Sequence, residues 1–467
     1  MRKVFNVQLK ISHPKSLLLI CALALFLIVP VRAGFISSKP SSTALQLRSQ
    51  GYYPSRYDAH SSMGFHLWLS VGLGKEIGIK NSPAASPLPI IDVGEKIKEG
   101  ILLLKSSPPL VYKTKNGKPT GDLVKKQIAL AILDTASGKV FEKRMWVKEE
   151  EIKNYRETGI INLEPANLPT SDITNLPMSD VGINVRVRWW NSFNTFYEVE
   201  SKPDLIVVAN KYLLPSSYII GLPERSKTKY TDIIYAPYSA SIHLPEIIAA
   251  GKQYLDDNVD QAFGQLNLAG VVSHSSSGKL VTAVIGKELV KNIILIEHID
   301  PDSFSAAPDG GRELTERVLA IIGANQNFAY RYTGSPAGAS GLAQFIKATY
   351  KTIVSKYPDA HLIKDYNLGM ADHTNAIKAM VLFFDNYKNE IENKVTRRDV
   401  VNQMGITEEM LAAAYNGGPG KVVRSVNKYG LAWISSQFAL PRAKAVFKQE
   451  TLNYIQKFRS IKGLNFF

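Results

Sequence analysis

The sequence holds a single cysteine, Cys21, in 467 residues. A lone thiol makes no disulfide within the chain and no thiolate zinc site, so stability must come from packed cores. Zinc-finger spacings and phosphate-cradling glycine loops are also missing, so no nucleic-acid partner, no metal and no cofactor is expected. Acidic residues are in deficit: 41 Asp and Glu stand against 56 Lys and Arg, a formal net charge of +15. That balance attracts polyanions, whether nucleic acid, anionic lipid or a wall bearing carboxylates and phosphates. Hydrophobic residues at 45% and charged residues at 21% exclude a largely disordered chain. The length allows two or three domains.

What is present begins with a leader. Arg2, Lys3, Lys10 and Lys15 precede the apolar run Ser16 to Val29, then Pro30 and Val31-Arg32-Ala33. A basic start, an apolar stretch and a small residue at the cut describe a secretory signal peptide over residues 1–33. The run is shorter than the ~20 residues that span a bilayer, and a retained N-terminal anchor is the alternative. Ile20 before Cys21 fits a lipoprotein cleavage site poorly, so Cys21 reads as an apolar filler. An exported protein of the periplasm or cell envelope is therefore expected, membrane-anchored if the leader is kept.

Residues 34–89 read as a linker with short elements and residues 90–240 as a β-rich domain. Ile183 to Trp189 alternates apolar and polar side chains as a half-buried strand does. Leu205 to Val208 is a buried strand, Lys115-Asn116-Gly117-Lys118 a tight turn, and Leu163 to Pro177 an irregular loop. A short helix is expected over Gly121 to Leu133. Trp189, Trp190, Phe193, Phe196 and Tyr197 suit a sheet core better than a carbohydrate platform. After Pro245 the apolar period becomes helical, through Ile247, Ile248, Tyr254, Leu255, Val259 and Phe263, in a lead-in over residues 241–270. From residue 271 to the end the pattern predicts helices at 286–297, 314–324, 342–356, 374–387, 397–404, 408–415, 418–429 and 441–457. The fold class is α+β: a β-rich N-terminal region followed by an α-helical domain.

Three segments of that domain carry chemistry. Gly338-Ala339-Ser340-Gly341-Leu342-Ala343-Gln344 is a glycine turn in which missing Cβ atoms let a sugar approach, with the Gln344 amide ready for an N-acetyl group. Ala413-Ala414-Tyr415-Asn416-Gly417-Gly418-Pro419-Gly420 is a small-residue helix stopped sharply. Glu450-Thr451-Leu452-Asn453-Tyr454 lies near the C-terminus. In this order they resemble the lytic transglycosylase family of SLT type, related to goose-type lysozyme. The resemblance covers the last part of the chain only. It implies a lysozyme-like fold at 271–467, peptidoglycan glycan strands as partner, and cleavage of the β-1,4 bond between N-acetylmuramic acid and N-acetylglucosamine by a single glutamate. It also implies that Ser335, Gly341, Gln344, Tyr415, Asn416, Glu450 and Tyr454 line the sugar cleft. Plainer readings are core packing for Tyr415 and an ion pair with Lys448 or Lys457 for Glu450.

The acid departs from the family pattern. Counting back from Gly338 by the family's spacing reaches Asn325-Gln326-Asn327, where no carboxylate stands. The apolar helical run Leu289 to Ile296 leads instead into Glu297-His298-Ile299-Asp300-Pro301, which resembles the family's acid motif with Asp302 to Thr333 as an insertion. A carboxyl ending an apolar helix is desolvated and meets the negative end of the helix dipole. Both raise its pKa, as a general acid requires. Glu297 is thus the candidate catalytic residue, with His298 as a neighbour that tunes it and Asp300 as a turn former. The alternatives are a solvated Glu297 paired with Lys291 or His298, an acid at Glu313 or Glu316, a domain that binds wall without cleaving it, and a lysozyme-type hydrolase.

Overall fold

The protein is described here by a computed structural model covering residues 91–166, 183–200, 202–222, 229–332, 334–335 and 338–467. The expected leader and linker, and most of the proline-rich loop, lie outside the described residues.

The N-terminal region is an antiparallel sheet with helices. Helix α1 (Val93–Ser106) starts at Asp92, whose carboxylate accepts from the Glu95 amide at 3.0 Å. Strands β1 (Tyr112–Thr114), β2 (Leu123–Asp134) and β3 (Val140–Lys148) precede α2 (Glu149–Thr158) and the short β4 (Glu164–Pro165). Strands β5 (Val185–Trp189) and β6 (Phe196–Val199) pair with each other, and β7 (Leu205–Pro215) and β8 (Tyr230–Tyr235) complete the set. The main sheet runs β4-β3-β2-β7-β8, with β1 also paired to β2. Lys115 to Lys118 turns between β1 and β2 with Gly117 at φ 65°.

The helix expected over Gly121 to Leu133 is a strand. Ile128 to Leu133 are all fully buried in β2, which is flanked by β3 and β7 and covered by α1. A continuous apolar run has no period to separate strand from helix, and its Ala and Leu content favoured the wrong one. Helix α1 was itself missed, although Val93, Ile97, Ile101 and Leu104 have helical spacing. Its Gly100 lies so close to the sheet that a Cβ there would stand 3.0 Å from Ala131 and Val208. The β5 alternation is as expected, with Arg186 and Arg188 exposed and both bonded to Glu198. Trp189, Phe193 and Tyr197 are buried, so the aromatic cluster is core.

The second region is helical: α3 (Pro245–Leu268), α4 (Lys287–Glu297), α5 (Pro301–Ala306) and α6 (Arg312–Asn325). A strand pair, β9 (Ala339–Ser340) with β10 (Phe345–Ile346), then leads to α7 (Lys347–Lys356), α8 (Tyr366–Ala371) and α9 (His373–Lys394). Helices α10 (Arg398–Met404), α11 (Glu408–Gly417), α12 (Pro419–Tyr429), α13 (Ser435–Ala439) and α14 (Gln449–Gly463) follow. Strands first and helices after make the fold α+β. Helix α9 is buried from Ala376 to Phe384 and packs against α3, α7, α8, α11 and α12. None of the described helices is long and apolar enough to cross a membrane.

Two helix starts differ from expectation. Helix α7 begins at Lys347 rather than Leu342, because Gly341 and Gln344 take positive φ and the β9–β10 pair intervenes. Helix α14 begins at Gln449 rather than Pro441, since the Gln437 side chain holds the Val446 amide of the preceding segment at 2.7 Å.

The segment expected as an insertion carries a helix, α6, where one is expected over 314–324. Its helix α6 crosses α3 where two glycines meet, so that a Cβ on Gly251 would lie 1.9 Å from the Leu319 carbonyl oxygen and one on Gly323 2.1 Å from that of Ile247. Beyond the crossing, the Asn325 amide donates to the Ala236 oxygen at 3.0 Å and its oxygen accepts from the Ala236 amide at 2.8 Å. The Phe193 ring meets Tyr235 at 4.9 Å and Tyr332 at 5.5 Å. These contacts join α6 and the chain after it to the sheet region. Since backbone atoms oppose both glycines, Gly251→Ala and Gly323→Ala are each expected to lower stability by roughly 3 kcal/mol, measured by urea unfolding followed by circular dichroism.

Candidate active site

Helix α4 positions Glu297. Leu289, Val290 and Ile293 to Ile296 are buried and leave the final side chain at the helix end. The helix stops there because Asp300 caps the next one, accepting from the Ser303 amide at 2.7 Å, with Pro301 at its first position. Asp300 is thus the turn former expected. Glu297 is partly buried, and its Oε1 accepts a hydrogen bond from the Tyr454 hydroxyl at 2.6 Å. Burial raises the Glu297 pKa; the Tyr454 bond and the Lys457 charge pull it down, the Glu450 charge pushes it up, and the net shift is upward. The Tyr415 and Tyr454 hydroxyls are pushed well above their usual range, first by burial and then by the neighbouring Glu297 charge.

The helix dipole contributes less than the sequence implied. The carbonyl of Ile296 in the last helical turn and that of Ile299 just past the helix receive the Lys457 ammonium at 2.9 and 2.7 Å, which places a positive charge against the negative end. Desolvation carries the shift. Lys457 is itself buried, so it is not the surface partner for Glu450 considered above.

The glycine turn is fixed from three sides. His298 donates from Nε2 to the Leu342 oxygen at 2.9 Å, Tyr415 donates to the Ala343 oxygen at 2.5 Å, and Tyr366 donates to the Phe345 oxygen at 2.5 Å. Burial drops the His298 pKa to about 3, so it is neutral and carries one N–H. Its ring stacks on Tyr330 with centroids 3.5 Å apart. The His298 imidazole, expected to tune Glu297, ties the end of α4 to the turn. Lys291 is not a partner of Glu297 either, being paired with Asp256 and Glu288.

Glu297, Tyr454 and Tyr415 therefore form one cluster against the Leu342-Ala343 backbone. The remaining expected cleft residues serve mainly the local architecture. The Ser335 Oγ accepts from the Ala339 amide at 3.0 Å, and Gln344, at φ 48°, donates to the Gly341 oxygen at 2.7 Å. A Cβ on Gly341 would meet the Met370 oxygen at 2.9 Å and Ile220 at 3.0 Å. Gly341 thus permits close packing, where sugar approach was expected, whereas Gly338 has nothing within 4 Å of that position. Asn416 accepts from the Thr451 hydroxyl at 2.8 Å, joining α11 to α14, and Glu450 is exposed in the first turn of α14. Among the described residues no group of three His, Cys, Asp or Glu side chains stands as a metal site. Lys457 and Tyr366 were missed; Lys457 lies one turn beyond Tyr454 on the same helix face, and that spacing was the available signal.

Residues 312–435 match the family model of the transglycosylase SLT domain. The C-terminal region carries such a domain. No curated protein matches the chain. Ser335, Gly341, Gln344, Tyr415 and Asn416 fall within the SLT match, while Glu297 precedes it and Glu450 and Tyr454 follow it. Gln326, also within it, is exposed just past α6, beside Asn325, which is held by the sheet region. Glu313 is exposed on the first turn of α6, and Glu316 pairs with His243 and Arg312.

The raised Glu297 pKa has a consequence for stability. The folded protein holds this proton more tightly than the unfolded chain does. The stabilisation is complete below the ordinary glutamate range and is lost as pH rises through the raised value. Glu297→Gln, neutral at every pH, is expected to match the wild type near pH ~4 and exceed it at pH ~8, as measured by urea denaturation at both.

Proposed function

We propose that the C-terminal region is a peptidoglycan lytic transglycosylase with Glu297 as its single acid and base. The observation that carries this reading is a carboxyl raised by burial at a helix end, hydrogen-bonded by Tyr454 and electrostatically coupled to Tyr415, which holds the glycine turn. A carboxyl so placed keeps its proton closer to neutral pH than a solvated one.

In this reading protonated Glu297 gives its proton to the glycosidic oxygen between N-acetylmuramic acid and N-acetylglucosamine as the C1–O bond breaks. Positive charge develops at C1 and the ring oxygen, and the substrate's own N-acetyl oxygen assists from the opposite side. The C6 hydroxyl then attacks C1 and returns its proton to the Glu297 carboxylate, closing a 1,6-anhydro ring without water. Tyr454 donates to the carboxylate while it is ionised and so limits the cost of that state. The net charge of +15 suits an anionic wall. The basic and apolar leader supports export to the periplasm or envelope, with membrane attachment where it is retained.

The SLT match starts after Glu297 and contains Gln326 where the family spacing would put the acid, which favours a wall-binding domain as the second reading. Mass spectrometry of muropeptides after incubation with purified wall separates the two. Anhydro ends are expected from the wild type, reduced on the order of 10²–10³-fold or more by Glu297→Gln and unchanged by Gln326→Ala. Intact strands support binding alone, and reducing ends support a lysozyme-type hydrolase.

A further inference from the structure

We propose that Lys457 is a positioning residue for Glu297: its ammonium group pins one carbonyl in the last turn of α4 and one just past its end, and fixes both the place and the charge surroundings of the carboxyl that ends that helix. The inference rests on the reading of Glu297 given above. Lys457 is 4% exposed, and its Nζ donates to the Ile296 oxygen at 2.9 Å and the Ile299 oxygen at 2.7 Å. These carbonyls bracket Glu297. The same ammonium lies 5.6 Å from the Tyr454 ring centroid, and Tyr454 is the donor to Glu297. One turn of α14 thus holds the acid by its side chain and by the backbone on either side.

A neutral donor would satisfy those carbonyls equally well. Burying an ammonium costs far more than burying an amide, so a positive charge here does something that a neutral cap would not. Groups facing Glu297 among the described residues include Tyr454, Lys457 and Glu450 from α14 and Tyr415 from α11. Of these four, Lys457 is the cation. It opposes the upward push of burial and of Glu450, keeping the carboxyl able to release its proton as well as to hold it. Lys457 in turn faces Glu297, Asp300 and Glu450, and burial brings its own pKa down to about 8. A reciprocal coupling follows, since the free energy by which one charge shifts the other is the same from either side.

Two measurements on the full chain test this. In lysine labelled with ¹⁵N, assigned with Lys457→Arg, the Lys457 Nζ resonance is expected to titrate near pH 8 in the wild type and at lower pH in Glu297→Gln, which lacks the attracting carboxylate. In wall cleavage, Lys457→Met is expected to lose about tenfold or more in kcat with KM little changed. Its alkaline limb should move to higher pH, because removing the cation raises the Glu297 pKa, and Lys457→Arg should restore both. A Lys457 titration identical in wild type and Glu297→Gln would overturn the proposal, as would a Lys457→Met enzyme with the wild-type kcat and pH profile. Should Lys457→Met fail to fold, the resonance comparison decides by itself. That comparison needs no catalysis, so an inactive chain would count against the transglycosylase reading without obscuring the result for Lys457.

Discussion

A buried helix end must find donors for the carbonyls at and just past it, and in this protein the requirement falls on Ile296 in the last turn of α4 and on Ile299 beyond it. Lys457 meets it from α14. One residue away, His298 gives its single proton to the Leu342 carbonyl. Helix α4, the glycine turn and the C-terminal helix are therefore tied together by side-chain donors on backbone oxygens, and the Glu297 carboxyl sits where those ties converge. Tyr454 and Tyr415 complete the arrangement, one bonded to the carboxyl and the other to the turn. The chemistry proposed for Glu297 depends on that convergence, because a carboxyl free to swing into water would recover an ordinary glutamate pKa.

The support extends outward through packing. Gly251 and Gly323 let α3 and α6 cross with their backbones in contact, and Asn325 at the end of α6 takes both hydrogen-bonding groups of Ala236 beside the sheet. The segment between Glu297 and the glycine turn is thus a structural joint. Tyr332, farther along it, joins Phe193 and Tyr235 in an aromatic cluster shared with the sheet region. Helix α6, expected as part of an insertion, lies within the SLT match, and Tyr330 in the chain beyond it stacks on His298.

Much of this was legible where periodicity and turn chemistry are strong. The helical period marked α3, α4 and α9, the alternation marked β5, and Pro419 and Gly418 marked the break between α11 and α12. The failures have physical causes. The continuous apolar run of β2 carries no period, and only its flanking strands reveal what it is. The start of α7 was misplaced because Gln344 adopts a left-handed backbone that its residue type does not announce. Beside Gly341, Met370 and Ile220 occupy the space that a Cβ would take, a packing that the local sequence does not show.

By itself the sequence determined the α+β class, the chain's positive charge, the lack of a second cysteine to pair with Cys21 and the three segments that resemble an SLT domain. It also offered Glu297 on chemical grounds, as a carboxylate ending an apolar helix. Only the tertiary structure decided what surrounds that carboxylate: Tyr454 on its oxygen, Lys457 across its helix end, and His298 turned to Leu342 instead. Those partners come from positions up to 161 residues apart. Local composition specifies which groups a residue can bond, but which of them arrives is set by how the helices pack.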